Sequence, residues 1–337
     1  MRRRRLHSGM EKPTIVENRF AGVENVTEYM SVIINQVILM LILVVIGIIG
    51  YKCKVVTKDG SKQLSNLLMM IISPVVIFVS YQRDFDSSML LGLAQAFGLA
   101  VLGFGVAIAV AYLFLHKTEK YDVVIERFST IYSNCGFMGI PLVDAMFGSE
   151  GVFYLTAVIT AFNLIVWTHG VYTFTGAGQK FSFKGLLNAL RSPSIIAVPV
   201  GLLCFLCQIR VPDVVYDALN YISGMNTPLA MIVAGATVAQ TNLLKVFAKG
   251  RIYYVSFLKL ILAPMLIVLV YAVFSGVPTI ITLSLALAMA APAGAMGTMF
   301  AVKYDRSALY ASEIFAATTI LSALTLPLIV FVAGYLL

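Results

Sequence analysis

The stretch 127–144, RFSTIYSNCGFMGIPLVD, holds two glycines and one proline within six residues of an apolar segment. Gly136 and Gly139 each weaken a helix by roughly 1 kcal/mol relative to alanine, and Pro141 weakens it by about 3 kcal/mol. Proline also removes a backbone donor and disfavours helical geometry at the residue before it. We therefore predict a helix that ends near Asn134, an unwound stretch, and a new helix with Pro141 in its first turn.

A second stretch, nearer the carboxyl end, repeats this arrangement. Leu285–Ala291 forms one half of an apolar segment, and Pro292-Ala293-Gly294 opens the other half. Pro292 follows Pro141 by 151 positions, and a Thr-Pro pair at 227 follows a Ser-Pro pair at 73 by 154 positions. Two matches at nearly one offset predict two five-span halves, and because five is odd, the second half is inverted. Inverted repeats with helices broken at matching places are typical of secondary transporters.

The composition of the whole chain places these stretches in a membrane. Of 337 residues, 60% are apolar and 12% are charged, against about 45–50% and ~25% in soluble domains. A soluble enzyme, a disordered chain and a disulfide scaffold are excluded, and an all-α integral membrane protein is predicted. About ten apolar stretches are long enough to cross ~30 Å of hydrocarbon. They lie at residues 31–51, 63–80, 87–116, 127–147, 151–174, 193–209, 214–240, 252–274, 279–302 and 308–337.

The apolar stretches divide the chain into four parts. Residues 1–30 form a polar N-terminal tail, residues 31–173 the first five-helix repeat, residues 174–192 a cytoplasmic linker, and residues 193–337 the second, inverted repeat. The predicted fold therefore has about ten transmembrane helices in two inverted five-helix repeats. Spans 4 and 9 are predicted to be discontinuous helices that cross each other.

Lysine and arginine are distributed unevenly between the loops. One set of alternate loops carries 15 of them, whereas the opposite set carries Arg83 and Arg210. Cytoplasmic loops are enriched in these residues, so we predict a multi-pass protein of the plasma (inner) membrane with both termini outside the cytoplasm. The N-terminal tail holds six more, but the four at Arg2–Arg5 lie more than 25 residues before the first span. That is beyond the ~15–20 residues over which the rule acts.

The two predicted breaks supply the groups of a binding site. A new half-helix presents free N–H groups and about half a positive charge at its start. Unwound backbone is tolerated at membrane depth only where protein or a water-filled cavity receives it. Neither 128–143 nor 279–304 contains Asp or Glu, so we expect an anion as the ligand. The candidate substrate-binding residues are Asn134, Cys135, Gly136, Gly139, Ile140, Pro141, Asn226, Thr227, Pro292, Ala293 and Gly294.

Structural roles stay open for the same residues. The prolines can kink packed helices without forming a site, Asn134 can cap the unwound backbone, and Asn226 with Thr227 can satisfy the kink before Pro228. Lys259 lies about two turns inside the eighth apolar stretch. We expect Lys259 to snorkel to the cytoplasmic face rather than to attract an anion.

Signals for other functions are missing from the sequence. The motifs H-E-x-x-H, G-x-S-x-G and the phosphate-binding loop do not occur, and the three histidines are scattered. We therefore predict no enzyme, no cofactor and no metal site. Cys204 and Cys207 form C-x-x-C inside an apolar run without a βαβ context, which favours a packing role. No basic patch is interleaved with aromatic residues, so no nucleic-acid partner is expected.

These motifs resemble those of the auxin efflux carrier family, which includes plant auxin exporters and bacterial malate or malonate permeases. The resemblance rests on SNCGFMGIPL at 133–142, on APAG at 291–294 followed by FAVKY at 300–304, and on SALTLP at 322–327. It implies ten helices in two inverted repeats, with spans 1, 2, 6 and 7 as a scaffold that is often dimeric and the other spans as a mobile transport domain.

The resemblance also implies roles for single residues. Asn134 aligns with the asparagine that contacts the substrate carboxylate in plant members, and Pro141 and Pro292 align with the prolines at the crossing of the two helices. The central loop, 174–192, has only 19 residues. It is much shorter than in the plant carriers, which fits a bacterial permease.

We therefore hypothesise a secondary transporter, or permease, that moves small organic anions, carboxylates above all, by elevator-type alternating access. The alternative is a sodium-coupled organic-anion symporter of the bile-acid transporter type, with Asn134 and Thr227 as candidate sodium ligands. A receptor without transport and a membrane-embedded enzyme are the remaining classes. The expected partners are the anion, the lipid bilayer and a second copy of the chain, bound through spans 1, 2, 6 and 7.

Overall fold

The computed structural model describes residues 15–175 and 192–337. Within these ranges the chain is helical, and its strand-like pairing is limited to one isolated bridge between Ser133 and Ala293. Short π-helical turns occur at Leu68–Ile72, Cys135–Gly139, Val166–Gly170 and Leu258–Leu262. In chain order the helices are α1 Ile15–Lys52, α2 Lys58–Leu67, α3 Ser73–Ser80, α4 Ser87–Phe114, α5 Val123–Ile131, α6 Ile140–Ile165, α7 Val171–Thr175, α8 Pro193–Cys207, α9 Asp213–Gly224, α10 Asn226–Val238, α11 Leu243–Phe247, α12 Gly250–Phe257, α13 Ala263–Ala272, α14 Thr279–Ala290, α15 Met296–Lys303 and α16 Ala308–Leu336.

The lengths of the helices confirm the all-α integral membrane class. Six helical segments of the described residues are long and apolar enough to cross a membrane: Thr27–Lys52, Lys58–Ser80, Ser87–Phe114, Cys135–Thr175, Gly250–Ala272 and Ala308–Leu336. Two further apolar helices are shorter: α8 has 15 residues and α14 has 12.

Several predicted spans are divided, so the described residues contain fewer long helices than the ten predicted spans. The predicted seventh span, 214–240, consists of α9 and α10, which meet at Met225. The predicted fourth span is divided between α5 and α6, and α6 continues into the predicted fifth span. Within α6 the backbone turns at Gly148, whose φ of 58° and ψ of −154° are not helical. Glycine suits this position because a side chain disfavours positive φ.

The first helix begins before the predicted boundary at residue 31. α1 starts at Ile15, so residues 15–30 of the predicted polar tail are helical. No proline follows Pro13 in this segment, and each residue added to an existing helix gains a hydrogen bond without a new nucleation step. Residues 1–14 and most of the predicted linker, 176–191, lie outside the described residues.

Glycines bring two pairs of helices into close contact. A Cβ added at Gly235 on α10 would lie 2.0 Å from a carbonyl oxygen of α1, and one added at Gly47 on α1 would lie 2.3 Å from a carbonyl oxygen of α10. A Cβ at Gly201 on α8 would lie 2.7 Å from the ring of Tyr81, which directly follows α3. Small residues let helices approach closely in membranes. The pairs α1–α10 and α3–α8 therefore join the predicted spans 1 with 7 and 2 with 6.

The outer face of α1 is apolar and exposed. Such a face suits contact with hydrocarbon rather than water, in agreement with the membrane class. Its exposed large side chains are Ile34, Ile38, Leu39, Ile42, Val45, Ile46 and Ile49.

Ion pairs join helix ends on the side that the charge distribution predicts to be cytoplasmic. Glu126 on α5 is completely buried. Its carboxylate accepts hydrogen bonds from Arg251 Nε at 2.8 Å, from Arg251 Nη2 at 2.7 Å and from the Tyr310 hydroxyl at 2.8 Å. α5, α12 and α16 are thereby connected through one carboxylate. Further ion pairs in this region are Lys249 with Glu313 and Arg306 with Asp122.

Gly235→Ala tests the contact between α1 and α10. The added methyl group would meet backbone, which cannot rotate away as a side chain can. We therefore expect the free energy of unfolding to fall by about 1–3 kcal/mol, measured as a lower melting temperature of the purified protein in detergent. Gly98→Ala is the matched control, since a Cβ there meets no atom within 4 Å. Equal melting temperatures for the two variants would contradict the contact.

Arg251→Met tests the buried ion pair. The substitution leaves the Glu126 carboxylate buried without its cation, so we expect a loss of about 3–5 kcal/mol in the free energy of unfolding. Arg210→Met is the control, because Arg210 pairs at 2.6 Å with Asp84, whose side chain is fully exposed, and exposed pairs stabilise little. Thermal unfolding compares the two variants. If Arg210→Met lowered the free energy of unfolding as much as Arg251→Met, the buried pair would not stabilise the protein more than the exposed pair, contrary to this prediction.

Candidate functional site

The first interrupted helix lies where the glycines and the proline of 127–144 predict it. α5 ends at Ile131, and Tyr132 leaves the helix with φ −96° and ψ 102°. A π-helical turn, Cys135–Gly139, leads into α6, which has Pro141 in its first turn. The unwound stretch is 132–134, so it lies earlier and is shorter than the stretch predicted between Asn134 and Pro141, and residues 135–139 are helical instead. The carbonyl oxygen of Asn134 accepts hydrogen bonds from the amides of Met138 and Gly139, at 3.0 and 3.1 Å, which stabilises this π-helical turn.

The second interrupted helix has the same design. α14 ends at Ala290, and Ala291 leaves it with φ −55° and ψ 149°. α15 begins at Met296. Pro292–Gly294 lies in the unwound stretch 291–295, as the sequence predicts.

The two unwound stretches pair with each other, and we call 132–134 and 291–295 together the crossing. The amide of Asn134 donates to the carbonyl oxygen of Pro292 at 2.7 Å. The amide of Gly294 donates to the carbonyl oxygen of Tyr132 at 2.9 Å. A Cβ at Gly294 would lie 3.3 Å from the Tyr132 carbonyl oxygen, so glycine suits this close approach. Protein thus receives the unwound backbone, as hydrocarbon surroundings require.

This pairing removes several of the predicted anion donors. The amides of Asn134 and Gly294 are used in the pairing, and the amide of Ala293 donates to Thr318 Oγ1 at 3.2 Å. The amides of residues 135–137 open the helix that follows the first break, where no preceding turn offers them a carbonyl acceptor. The amides at the start of this helix therefore stay among the expected anion-binding donors, whereas those of Asn134, Ala293 and Gly294 do not.

Lys259, which we expected to snorkel to the cytoplasmic face, lies buried beside the crossing. It lies in the π-helical turn Leu258–Leu262, and 2% of its surface is exposed. Its Nζ donates to Ser133 Oγ at 2.5 Å and to the Met289 carbonyl oxygen at 3.5 Å, and Ser133 Oγ donates to the same carbonyl at 2.8 Å. The expectation is wrong because the two interrupted helices supply acceptors that a snorkelling ammonium would find in water.

No carboxylate pairs with Lys259 within residues 15–175 and 192–337. The ion pairs found there involve Arg210, Lys249, Arg251 and Arg306. Ionisable side chains inside a membrane are costly and mark substrate or ion pathways. The sequence signal was a lysine isolated in an apolar span, and only the fold shows that it reaches the crossing.

Two buried asparagine side chains have unused hydrogen-bonding groups. In the described part of the chain, Asn134 Nδ2 and both polar side-chain atoms of Asn226 have no partner. Asn226 begins α10, which packs against the π-helical turn that follows Asn134, and Thr227 beside it is half-buried. Neither side chain acts as a cap. A buried side-chain amide without a hydrogen-bond partner lowers the free energy of unfolding by about 1–3 kcal/mol. A ligand that bonded to these groups would recover this free energy.

Comparison with known sequences identifies the family. The sequence model of a family described as "membrane transport protein" matches residues 32–330. The chain belongs to this family, the auxin efflux carrier family. The resemblance drawn from the motifs at the crossing is thereby confirmed.

Relatives of this family member are also described as transporters. The uncharacterized transporter MJ1031 of Methanocaldococcus jannaschii is 25% identical over 218 residues, which cover 61% of this chain and 68% of that protein. An uncharacterized transporter of Methanothermobacter thermautotrophicus is 24% identical over 301 residues, with coverages of 87% and 96%. The uncharacterized transporter YfdV of Escherichia coli K12 is 24% identical over 245 residues, with coverages of 68% and 76%. The protein is therefore a multi-pass membrane transporter and not an enzyme.

Ser133→Ala tests the contact between the hydroxyl and the buried ammonium. We expect a loss of about 1–3 kcal/mol in the free energy of unfolding, since Lys259 then lacks its nearest acceptor, measured by thermal unfolding in detergent. Lys259→Met removes the charge at similar volume and is expected to be neutral or stabilising. In the Lys259→Met background, Ser133→Ala should cost less. The same loss in both backgrounds would contradict the contact.

Proposed function

We propose that this transporter carries small organic anions, carboxylates foremost, and binds them at the crossing. The observation that carries the proposal is the buried Lys259 ammonium, held by Ser133 and Met289 without a carboxylate partner among the described residues. A carboxylate supplies the negative charge and the acceptor lone pairs that this position lacks.

Groups at the crossing and on α10, which packs against the π-helical turn after Asn134, suit such a ligand. Asn134 Nδ2 is an unused donor, and Asn226 offers another from α10. The amides of residues 135–137 open a helix whose start carries partial positive charge. In the proposed site these groups bind the carboxylate, and the other predicted residues, Gly139, Ile140, Pro141, Thr227, Pro292, Ala293 and Gly294, shape its surroundings.

The same ammonium argues against the sodium-coupled alternative at this position. Sodium would need the side-chain oxygens of Asn134 and Thr227 close to a cation that repels it. No acid within 128–143 or 279–304 offsets that repulsion. We therefore favour an anion carrier whose crossing does not bind sodium.

An elevator-type movement is the proposed mechanism. The pairs α1–α10 and α3–α8 supply a scaffold, and the ion pairs join α5, α12 and α16 in the part that moves. Gln36 of α1 contacts the first interrupted helix, where its Nε2 donates to the Pro141 carbonyl oxygen at 3.2 Å. Between α1 and α16, beside Met138, the cavity is about 20 Å³, roughly the room of one water. The two parts must therefore separate to admit a carboxylate there.

The proposal includes the arrangement predicted from the sequence. This arrangement has ten spans in two inverted repeats, a plasma-membrane location with both termini outside the cytoplasm, and a homodimer through spans 1, 2, 6 and 7. The matching interruptions and the lysine and arginine distribution support the repeats and the orientation. The apolar outer face of α1 offers a surface for a second copy or for lipid.

Uptake into proteoliposomes preloaded with the same unlabelled acid tests the substrate class. We expect the wild-type protein to take up labelled malate, malonate or lactate. Asn134→Ala should lower the rate about tenfold or more, because a hydrogen bond to a charged group contributes about 1.5–3 kcal/mol. Asn220→Ala, at an exposed asparagine of α9, is the matched control and should transport like the wild type.

Two outcomes would count against this proposal. If the folded wild-type protein takes up none of the three acids, the carboxylate class is wrong. If Asn134→Ala transports as fast as Asn220→Ala, the side chain of Asn134 does not bind the substrate.

A further inference from the structure

We infer that Lys259 makes this protein an anion exchanger, in which the bound anion neutralises the ammonium and the empty site moves across the membrane slowly. The inference rests on the proposed function, since it requires an anion bound at the crossing. It goes beyond that proposal by assigning the kinetic mode of transport to one residue.

Lys259 is held by both interrupted helices. Its first acceptor, Ser133 Oγ, lies in the unwound stretch between α5 and α6, and its second, the Met289 carbonyl oxygen, lies in the last turn of α14. Because both acceptors belong to the helices that form the crossing, the ammonium moves with the binding site. Any rearrangement that opens the site to the other side of the membrane also carries this charge.

Buried acidic residues on α5 and α16, the helices that pack against the π-helical turn of Lys259 on this side, do not offset this charge. Glu126 of α5 is paired with Arg251, and Glu313 of α16 is paired with Lys249. Each of these carboxylates is therefore already neutralised by its own cation. The described residues give Lys259 a hydroxyl and a carbonyl, which stabilise the ammonium but leave its net charge in place.

An unbalanced ammonium disfavours movement of the empty site. Charged groups in the membrane interior are costly unless they are paired or hydrated. A bound carboxylate pairs with Lys259, so the loaded site moves with its charge reduced. The loaded step is therefore fast, and the site returns with another anion rather than empty. We expect exchange to exceed net uptake by about tenfold or more.

The ratio of exchange to net uptake tests the inference. Initial uptake of labelled malate, malonate and lactate is measured in proteoliposomes with and without the same unlabelled acid inside, at a membrane potential held at zero with potassium and valinomycin. The wild-type ratio should be about ten or higher. Lys259→Gln should bring the ratio close to one, because its empty site is uncharged. Lys259→Arg keeps the charge and should keep a high ratio.

Lys245→Gln is the matched control, because Lys245 is exposed on α11, and it should keep the wild-type ratio. A purely structural role for Lys259 predicts that Lys259→Gln lowers both rates together and leaves the ratio unchanged, which would overturn the inference. If thermal unfolding shows that Lys259→Gln does not fold, Lys259→Met removes the charge in its place, and the same ratio close to one is expected; a high ratio in Lys259→Met would overturn the inference.

The outcomes separate the inference from the proposed function. A wild-type ratio near one, with carboxylate uptake intact, overturns the exchange mechanism and leaves the carboxylate proposal standing. If the wild-type protein takes up no carboxylate under either loading condition, the proposed function itself is overturned.

Discussion

The antiparallel pairing of two unwound stretches is the constraint on which the rest of the structure depends. Backbone amides and carbonyls released from a helix inside hydrocarbon need partners, and here each interrupted helix provides them for the other, through Asn134 with Pro292 and Gly294 with Tyr132. Neither interruption is satisfied by its own helix alone. The prolines and glycines therefore have their effect as a pair, although they lie in opposite halves of the chain.

The treatment of charge differs between this pairing and the helix ends. At the helix ends, Glu126 is buried but neutralised by Arg251, so the carboxylate contributes to cohesion among three helices. At the crossing, Lys259 is equally buried and has only neutral acceptors among the described residues. One arrangement is complete within the protein, whereas the other is completed by an anion in the mechanism that we propose. The contrast makes the crossing the centre of the proposed transport chemistry.

Close packing elsewhere provides the frame against which the crossing moves in the mechanism that we propose. Gly47 and Gly235 bring α1 and α10 together, and Gly201 fits against Tyr81 between α8 and α3. Close-packed helices such as these lose contacts if they separate even slightly, so each pair is expected to stay together as a rigid unit. An elevator-type mechanism needs such a rigid frame and a second unit that slides along it.

The sequence by itself determined the membrane class and the two stretches that hold the interruptions. Those features follow from local rules, because the apolar composition is read directly and because Pro141, Pro292 and the neighbouring glycines restrict their own backbone. Only the tertiary structure decided that the amides of Ala293 and Gly294 are used by protein and that Lys259 is buried beside Ser133. The physical reason is distance along the chain, because Lys259 and Ser133 are 126 positions apart. The local backbone preferences of each stretch do not predict which hydrogen-bond acceptors the fold places beside Lys259.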